Sequence, residues 1–194
     1  MRIIAGIAKG HKLKTLKGKA TRPTSGRVRE AVFNIWGSKI KGAYFLDLFA
    51  GSGAMGLEAL SRGAKFCHFN DYYQPACCVI RKNIKKCGFT SQSVVTCLDW
   101  FVLIKRLIKE QAFYFDLIYL DPPYGTDFCE KLLVNFLNNP FLSPTSIITC
   151  ETDVKTILQE KYSRDLKAGQ SLKLFKKNKY GDTLIWFYKL RGEE

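Results

Sequence analysis

Hydrophobic positions between residues 44 and 150 follow two alternating spacings, one typical of strands and one typical of helices. Short apolar runs, rich in β-branched and aromatic side chains, predict strands at residues 44–48, 65–70, 94–97, 115–120 and 146–150. Apolar residues at intervals of three and four predict helices at residues 55–62, 73–86, 100–109, 127–137 and 154–160. Strands that alternate with helices in this way indicate an α/β fold with a doubly wound, mostly parallel sheet.

The C-terminal residues break this alternation. Two apolar segments, at residues 172–175 and 183–188, flank the turn sequence Tyr180-Gly-Asp182, which predicts a hairpin. Because the strands of a hairpin are antiparallel, at least one strand at or near the edge of the sheet is expected to run against the others.

The N-terminal residues have a different pattern and carry most of the charge. Short β-type segments at residues 2–5 and 12–16 predict a small hairpin, and an amphipathic stretch that ends near Trp36 predicts a helix. The chain of 194 residues has a formal net charge of +14, of which residues 1–41 contribute +10, from eleven Lys and Arg and a single acid, Glu30. Such a surplus predicts a polyanionic partner.

Length and composition favour two parts: a basic N-terminal arm at residues 1–21 and one α/β domain at residues 22–194. The seven cysteines include no C-x-x-C pair and are accompanied by only two histidines, so no metal site is expected. No apolar run reaches the length of about 18 residues that spans a bilayer, and no signal-type segment is found at the N-terminus. A cytoplasmic protein without a membrane partner is therefore expected.

Aspartates mark the ends of four predicted strands. Asp47, Asp71, Asp99 and Asp121 each stand at or just after such an end, although Asp is a poor strand residue. Ligands of doubly wound sheets bind beyond the carboxyl ends of the strands. These positions are therefore candidates for a binding site.

Glycines follow the first of these aspartates in the pattern G-x-G-x-x-G, as Gly51-Ser-Gly53-Ala-Met-Gly56. Alone, this motif fits both dinucleotide enzymes and enzymes that hold another adenosine-containing cofactor. Asp47 would repel a pyrophosphate but could accept hydrogen bonds from an ammonium group, and Asp71 could accept ribose hydroxyls. The combination favours S-adenosylmethionine over NAD.

A second motif, Asp121-Pro-Pro-Tyr124, follows the predicted strand at residues 115–120. The paired prolines stiffen the turn, so that the Asp121 carboxylate and the Pro122 carbonyl can both accept hydrogen bonds from one amino group. Tyr124 offers a flat face on which a base can stack. The motif therefore favours methylation of an exocyclic base amine.

Longer segments of the chain resemble the RsmD family of small-subunit rRNA guanine-N2 methyltransferases. These segments are Arg22-Pro-Thr-Ser-Gly-Arg-Val-Arg-Glu-Ala-Val-Phe33, Leu46-Asp-Leu-Phe-Ala-Gly-Ser-Gly-Ala-Met-Gly-Leu-Glu-Ala-Leu-Ser-Arg-Gly-Ala64 and Lys179-Tyr-Gly-Asp-Thr183. The resemblance implies a class I, Rossmann-like methyltransferase with a seven-stranded sheet, an antiparallel C-terminal hairpin and an RNA-contacting N-terminal arm. It implies a metal-free monomer that uses S-adenosyl-L-methionine, releases S-adenosylhomocysteine, and acts on 16S rRNA in the small subunit or its assembly intermediate.

The resemblance also assigns roles to matching positions. It places the catalytic groups at Asp121, Pro122, Pro123 and Tyr124. It places the cofactor contacts at Asp47, Phe49, Ala50, Gly51, Ser52, Gly53, Gly56, Asp71, Tyr72, Asp99, Trp100 and Asp121. It places the RNA contacts at Arg2, Lys9, His11, Lys12, Arg22, Thr24 and Arg27.

The chain departs from the family pattern at one point. Relatives often have Glu at the end of the second strand, where this chain has Asn70-Asp71-Tyr72. Its distance from Asp47 aligns Asp71 with that Glu, whereas a register shifted by one residue would give the ribose contact to Asn70.

The expected reaction is attack of a flipped guanine N2 on the sulfonium methyl, with Asp121 and Pro122 as orienting acceptors. One alternative is a DNA adenine-N6 amino methyltransferase, because the Asp-Pro-Pro-Tyr acceptors fit that amine equally well. The other is a non-catalytic, RNA-associated nucleotide-binding protein.

Three arginines near the start of the first predicted helix are candidates for contacts with an anion: Arg22, Arg27 and Arg29.

Overall fold

The strands and helices lie in two compact units, Met1–Ile104 and Lys105–Glu194. The structure is a computed structural model that describes residues 1–16, 26–110, 114–137, 142–163 and 170–192. Within these ranges the chain forms five α-helices and eight strands. The α/β class, with parallel strands and an antiparallel C-terminal part, is confirmed, but the described residues contain eight strands rather than the seven expected.

The first unit alternates strands and helices as its apolar spacing predicts. Strands β1 (Tyr44–Asp47), β2 (Phe66–Asn70) and β3 (Ser93–Thr96) pair in parallel in the order β3-β2-β1. Its helices are α1 (Gly26–Trp36), α2 (Ala54–Ser61), α3 (Gln74–Cys87) and α4 (Trp100–Glu110), the last of which runs into the second unit. The elements predicted between residues 44 and 109 are confirmed within one residue at each end.

The second unit combines one parallel strand pair with an antiparallel sheet. Its elements are β4 (Phe115–Leu120), α5 (Phe128–Leu137), β5 (Leu142–Asp153), β6 (Lys161–Ser163), β7 (Gln170–Tyr180) and β8 (Thr183–Gly192). The strand order is β4-β5-β8-β7-β6, in which β4 and β5 are parallel and the remaining neighbours are antiparallel. The C-terminal hairpin is thus confirmed as β7 and β8, which are longer than the apolar segments that predict them.

Each unit has its own apolar core. In the first, α2 is buried along its whole length, and the rings of Trp36 and Phe45 meet edge to face with centroids 5.4 Å apart. In the second, β4 is buried at five of its six positions, which explains its near-continuous apolar sequence. Buried side chains of α5, such as Leu132 and Phe136, add to this core.

The helix predicted at residues 154–160 is wrong. Asp153 Oδ1 accepts hydrogen bonds from the backbone N–H groups of Lys155 and Thr156, at 3.0 and 2.8 Å, and this side-chain turn replaces the start of a helix. Strand β6 follows, which the sequence did not predict because a three-residue edge strand shows too little apolar alternation. Its Tyr162 ring packs against Tyr188, with centroids 5.7 Å apart.

The predicted N-terminal hairpin is present, with one bridge between Arg2 and Lys12. Its backbone is held by hydrogen bonds from the Ile3 N–H to the His11 carbonyl and from the Leu13 N–H to the Met1 carbonyl, at 3.1 and 3.0 Å. The predicted boundary between residues 21 and 22 lies outside the described residues and stays a prediction.

Candidate functional site

Asp47 is the last residue of β1, and its carboxylate is almost entirely buried, with 2% of the residue exposed. Its Oδ2 accepts a hydrogen bond of 3.0 Å from the Gly56 N–H. Burial raises the pKa of Asp47 to about 7, partly offset by that hydrogen bond, while the negative Asp71 raises it further. Because ionisation of this buried carboxylate is unfavourable in the free protein, a cationic ligand that pairs with it would stabilise the ionised form.

The glycines after Asp47 have two different structural roles. Gly51 and Gly53 adopt φ values of +56° and +76°, a left-handed conformation that side chains rarely tolerate. Gly56 lies inside α2, where an added Cβ would stand 2.3 Å from the Phe69 ring and 2.5 Å from Cys67 Sγ. The first two glycines therefore shape the turn, and the third lets α2 pack closely on β2.

The residue after β2, Asp71, is bound to the glycine turn. Its Oδ2 accepts a hydrogen bond of 2.8 Å from the Gly51 N–H, and its Oδ1 accepts one of 2.9 Å from the Tyr73 N–H. Burial raises the pKa of Asp71 above its ordinary value, and the two hydrogen bonds partly offset this. Because each carboxylate oxygen can accept a further hydrogen bond, Asp71 keeps capacity for a ribose.

Asn70 has a different environment, buried inside the unit. Its Nδ2 donates to the carbonyls of Leu48 and Leu98, at 3.2 and 3.0 Å, and its Oδ1 accepts from Thr96 Oγ1 at 2.8 Å. The side chain thus joins the carboxyl ends of all three strands of the unit, a role that sequence reasoning missed. This geometry favours Asp71 over Asn70 as the ribose contact, which stays a prediction.

Three residues after the end of β3, Asp99 caps helix α4. Its Oδ1 accepts a hydrogen bond of 2.8 Å from the Phe101 N–H, and its backbone carbonyl accepts one from Leu103. The Trp100 and Phe101 rings meet edge to face, with centroids 5.7 Å apart, and Tyr72 is 71% exposed. These flat side chains are suited to an adenine ring, and the predicted adenine contacts remain to be tested.

In the second unit, the Asp121-Pro-Pro-Tyr124 segment directly follows β4. Pro122 is buried, whereas Tyr124 is 43% exposed. The Tyr124 hydroxyl lies 3.3 Å from Oγ1 of Thr183, the buried first residue of β8. The contact joins the Asp-Pro-Pro-Tyr motif to the motif at residues 179–183.

A buried acid near this segment was missed by sequence reasoning. The Tyr119 hydroxyl donates a hydrogen bond to Glu151 Oε2, and Glu151 is buried. In the parallel register Leu120 pairs with Cys150, so Glu151 stands beside the start of the Asp-Pro-Pro-Tyr segment. The sequence feature that could have revealed this buried acid is the position of Glu151 directly after the predicted strand at residues 146–150.

Comparison with known proteins identifies the family. Residues 1–189 match the family model described as Conserved hypothetical protein 95. The chain belongs to this family. The match confirms the resemblance to RsmD, since a relative named Ribosomal RNA small subunit methyltransferase D, from Haemophilus influenzae, is 35% identical over 157 residues, 79% of each protein.

Solved structures agree with this membership. The Escherichia coli protein yhhF superposes with a TM-score of 0.80 at 26% identity, covering 100% of this chain and 99% of the other. An RNA methyltransferase from Salinibacter ruber, solved with S-adenosyl-L-homocysteine, has a TM-score of 0.62 at 14% identity, covering 89% and 96% of the two chains. At that identity the second likeness concerns the methyltransferase fold alone.

Most of the residues predicted to contact RNA lie at the surface of the first unit. Those that the structure describes, all exposed, are Arg2, Lys9, His11, Lys12 and Arg27. Arg22 and Thr24 lie outside the described residues. Arg29 was expected near an anion at the surface, but it is 2% exposed and pairs with Glu58 at 3.4 Å.

Glu58 fastens the hairpin to α2. Its carboxylate accepts hydrogen bonds from the Ile4 and Ala5 N–H groups, at 2.8 and 2.9 Å, and forms a salt bridge of 2.9 Å with Arg62. The Glu58–Arg62 pair follows from their spacing of four residues. The contacts with the hairpin could not be predicted, because they join residues more than fifty positions apart.

Among the residues that the structure describes, no three His, Cys, Asp or Glu are grouped so that they could hold a metal ion. None of the described helices is long and apolar enough to cross a membrane. All seven cysteines are free.

Proposed function

We propose that this protein is a cytoplasmic, monomeric enzyme that transfers a methyl group from S-adenosyl-L-methionine to the exocyclic N2 of one guanosine in 16S rRNA. The observation that carries the proposal is the Asp121-Pro-Pro-Tyr124 segment, at the carboxyl end of β4 with an exposed Tyr124 ring. Membership of a family that includes a small-subunit rRNA methyltransferase supports the substrate class.

The described residues fit the cofactor. The buried Asp47 carboxylate suits the ammonium group of the methionine moiety, and the left-handed Gly51 and Gly53 leave the backbone accessible to a ligand. Asp71 would hold the ribose, and Asp99 and Trp100 the adenine. S-adenosylmethionine supplies an electrophilic methyl on its sulfonium.

The target amine is oriented by acceptors rather than by a covalent intermediate. The Asp121 carboxylate and the Pro122 carbonyl accept the two N–H hydrogens of guanine N2 and disfavour its planar, conjugated form. Tyr124, held by Thr183, stacks on the base. Attack by the N2 lone pair forms the new N–C bond, the C–S bond breaks, and N2 then loses a proton.

The test is methyl transfer from radiolabelled S-adenosylmethionine to undermethylated small subunits, followed by nucleoside analysis of the product. N2-methylguanosine is the expected product, and methyladenine or no product would contradict the proposal. Methyladenine in DNA would instead support the adenine methyltransferase, and binding without consumption of cofactor would support a non-catalytic protein.

Asp121→Ala should lower turnover by at least a hundredfold and the affinity for S-adenosylmethionine by much less, because the main role of this acceptor is to orient the amine and the other cofactor contacts remain. Single-turnover rates and calorimetric binding would measure the two effects. The matched control is Asp127→Ala, which removes an exposed carboxylate that pairs with Lys131 at 2.8 Å. Near-normal turnover by Asp121→Ala would contradict the assignment of this residue.

A further inference from the structure

We infer that one face of the antiparallel sheet formed by β6, β7 and β8 is a second RNA-contacting surface, separate from the N-terminal hairpin. The inference rests on the proposed function, which supplies an RNA substrate. The surface is centred on a row of three lysines that cross the sheet in register, and it is called the lysine face: Lys161, Lys173, Phe175, Lys176, Lys189 and Arg191.

The row of lysines follows from strand pairing. Lys161 of β6 pairs with Lys173 of β7, which in turn pairs with Lys189 of β8. Directly paired residues of antiparallel strands project from the same side of the sheet, and like charges placed opposite one another are destabilising. Three aligned lysines therefore cost stability in the free protein, and a bound polyanion would offset that cost.

Two further cations project from the same side. Arg191 lies two residues after Lys189 on β8, and Lys176 of β7 pairs with Phe187, which lies two residues before Lys189. Residues two positions apart on a strand project from the same side of the sheet. Lys161, Lys173, Lys176 and Arg191 are exposed, and Lys189 is half-buried.

Nothing on these strands neutralises the charge. The sequences of β6, β7 and β8 contain no Asp or Glu. Among the described residues, no ion pair involves a cation of the lysine face. Without acids on its strands, the lysine face is not a salt-bridged surface. It is also unsuited to a contact between two identical chains, because the two copies would repel each other.

An aromatic ring lies within this positive surface. Phe175 occupies an irregularity in the pairing between Leu174 and Lys176 and is 40% exposed. Lys189 Nζ stands 4.2 Å from the centre of its ring, which places the ring on the lysine face. Cations for phosphates beside an exposed ring for a base are the combination by which proteins bind unpaired RNA.

The experiment compares two triple variants for binding to protein-free 16S rRNA at several KCl concentrations. The variant Lys161→Gln, Lys173→Gln, Lys189→Gln removes the row, and the control Lys82→Gln, Lys85→Gln, Lys109→Gln removes equal charge from exposed positions of α3 and α4. The row variant should flatten the slope of log affinity against log salt by about 2, since each single-strand phosphate contact contributes about 0.7. Its thermal unfolding temperature should be no lower than that of the wild type, because a repulsion has been removed.

The outcomes separate this inference from the proposed function. Equal salt slopes for the row variant and the wild type, or equal flattening by the control, would overturn the lysine face. Weaker binding to assembled subunits with unchanged binding to protein-free rRNA would also overturn it, because the contact would then be with a ribosomal protein. A wild type that binds rRNA with the expected dependence on the row, but transfers no methyl group, would overturn the proposed function alone.

Discussion

At the scale of single residues, Asp47 combines a structural cost with a proposed binding role. Its pKa, raised to about 7 mainly by burial, lies above the value near 3.8 of an unfolded chain. The stability associated with this proton is full below pH 4 and is lost as the pH rises through 7. The free protein therefore holds the ionised carboxylate at a cost that a bound ammonium group would offset.

The affinity for S-adenosylmethionine should rise about fivefold between pH 6 and pH 7.5, because only the ionised Asp47 pairs with an ammonium group, which itself loses its proton near pH 8. Calorimetric titrations at several pH values, in buffers of different ionisation enthalpy, should also detect proton release below pH 7. Asp47→Asn serves as the comparison, and it should lose most of the affinity and flatten the fall in stability above pH 5. An affinity that does not change with pH in the wild type would refute the pairing.

The residues of the candidate site were predictable where their chemistry is local. Asp47, Asp71, Asp99 and Asp121 stand out because a carboxylate at a strand end is costly within a sheet. Partners distant in the sequence could not be predicted, since the hydrogen bond between Tyr124 and Thr183 joins residues 59 positions apart. Asn70 is the clearest case, because one buried amide joins three strand ends without any recognisable motif.

At the scale of elements, the hairpin is joined to α2 by a buried ionic cluster. Arg29 adds to the Glu58 contacts by donating a hydrogen bond of 2.7 Å from Nη2 to the Arg2 carbonyl. Buried charges of this kind are tolerated only when each has its partner. Glu58 is therefore the carboxylate on which this ionic cluster depends.

Glu58→Gln should lower the free energy of unfolding by about 3 to 5 kcal/mol, because two arginines would lose their buried counter-ion. Urea denaturation measures the loss, and hydrogen exchange at the Ile4 and Ala5 amides should accelerate. Glu110→Gln is the matched control, since its salt bridge of 2.7 Å with Arg106 is exposed and should contribute less than about 1 kcal/mol. Similar losses of unfolding free energy in the two variants would contradict the role of Glu58 in fastening the hairpin to α2.

Elements with strong periodicity were predicted well, whereas the segment at residues 154–160 and strand β6 were not. The strands and helices of the first unit combine apolar spacing with clear glycine ends, such as Gly88 after α3, whose φ is +78°. Residues 154–160 carry a helix-like spacing, yet the side chain of Asp153 forms a competing local turn. Strand β6 depends on pairing with β7, which apolar spacing does not reveal.

At the scale of the whole molecule, charge is concentrated at two places. Residues 1–41 carry +10, and residues 161–192 add nine Lys or Arg against two Asp, outside the arm on which the sequence-based RNA prediction relied. The first surplus is evident from composition alone. The second becomes a surface only when strand pairing aligns its lysines, so sequence reasoning missed it.

Neutralising the hairpin with Arg2→Gln, Lys9→Gln and Lys12→Gln should weaken rRNA binding and flatten its salt dependence, because exposed cations contribute through phosphates. The affinity for S-adenosylmethionine, measured without RNA, should stay unchanged. Filter binding and calorimetry give the two quantities, and the Lys82, Lys85 and Lys109 triple variant again controls for net charge. Loss of cofactor affinity together with RNA affinity would point to misfolding and contradict the assignment.

The hairpin and the glycine turn also share one anchor. The buried Asn83 donates from Nδ2 to the carbonyls of Lys14 and Ser52, both at 2.9 Å, and accepts from the Lys14 N–H at 2.8 Å. We predict that RNA bound to the hairpin tightens cofactor binding through this anchor, and thermodynamic reciprocity then requires the cofactor to tighten RNA binding by the same factor. Cofactor isotherms with and without rRNA would show this factor in the wild type and a value of one in Asn83→Ala. The cofactor and the rRNA would then bind cooperatively, so that complexes with only one of the two would be less populated.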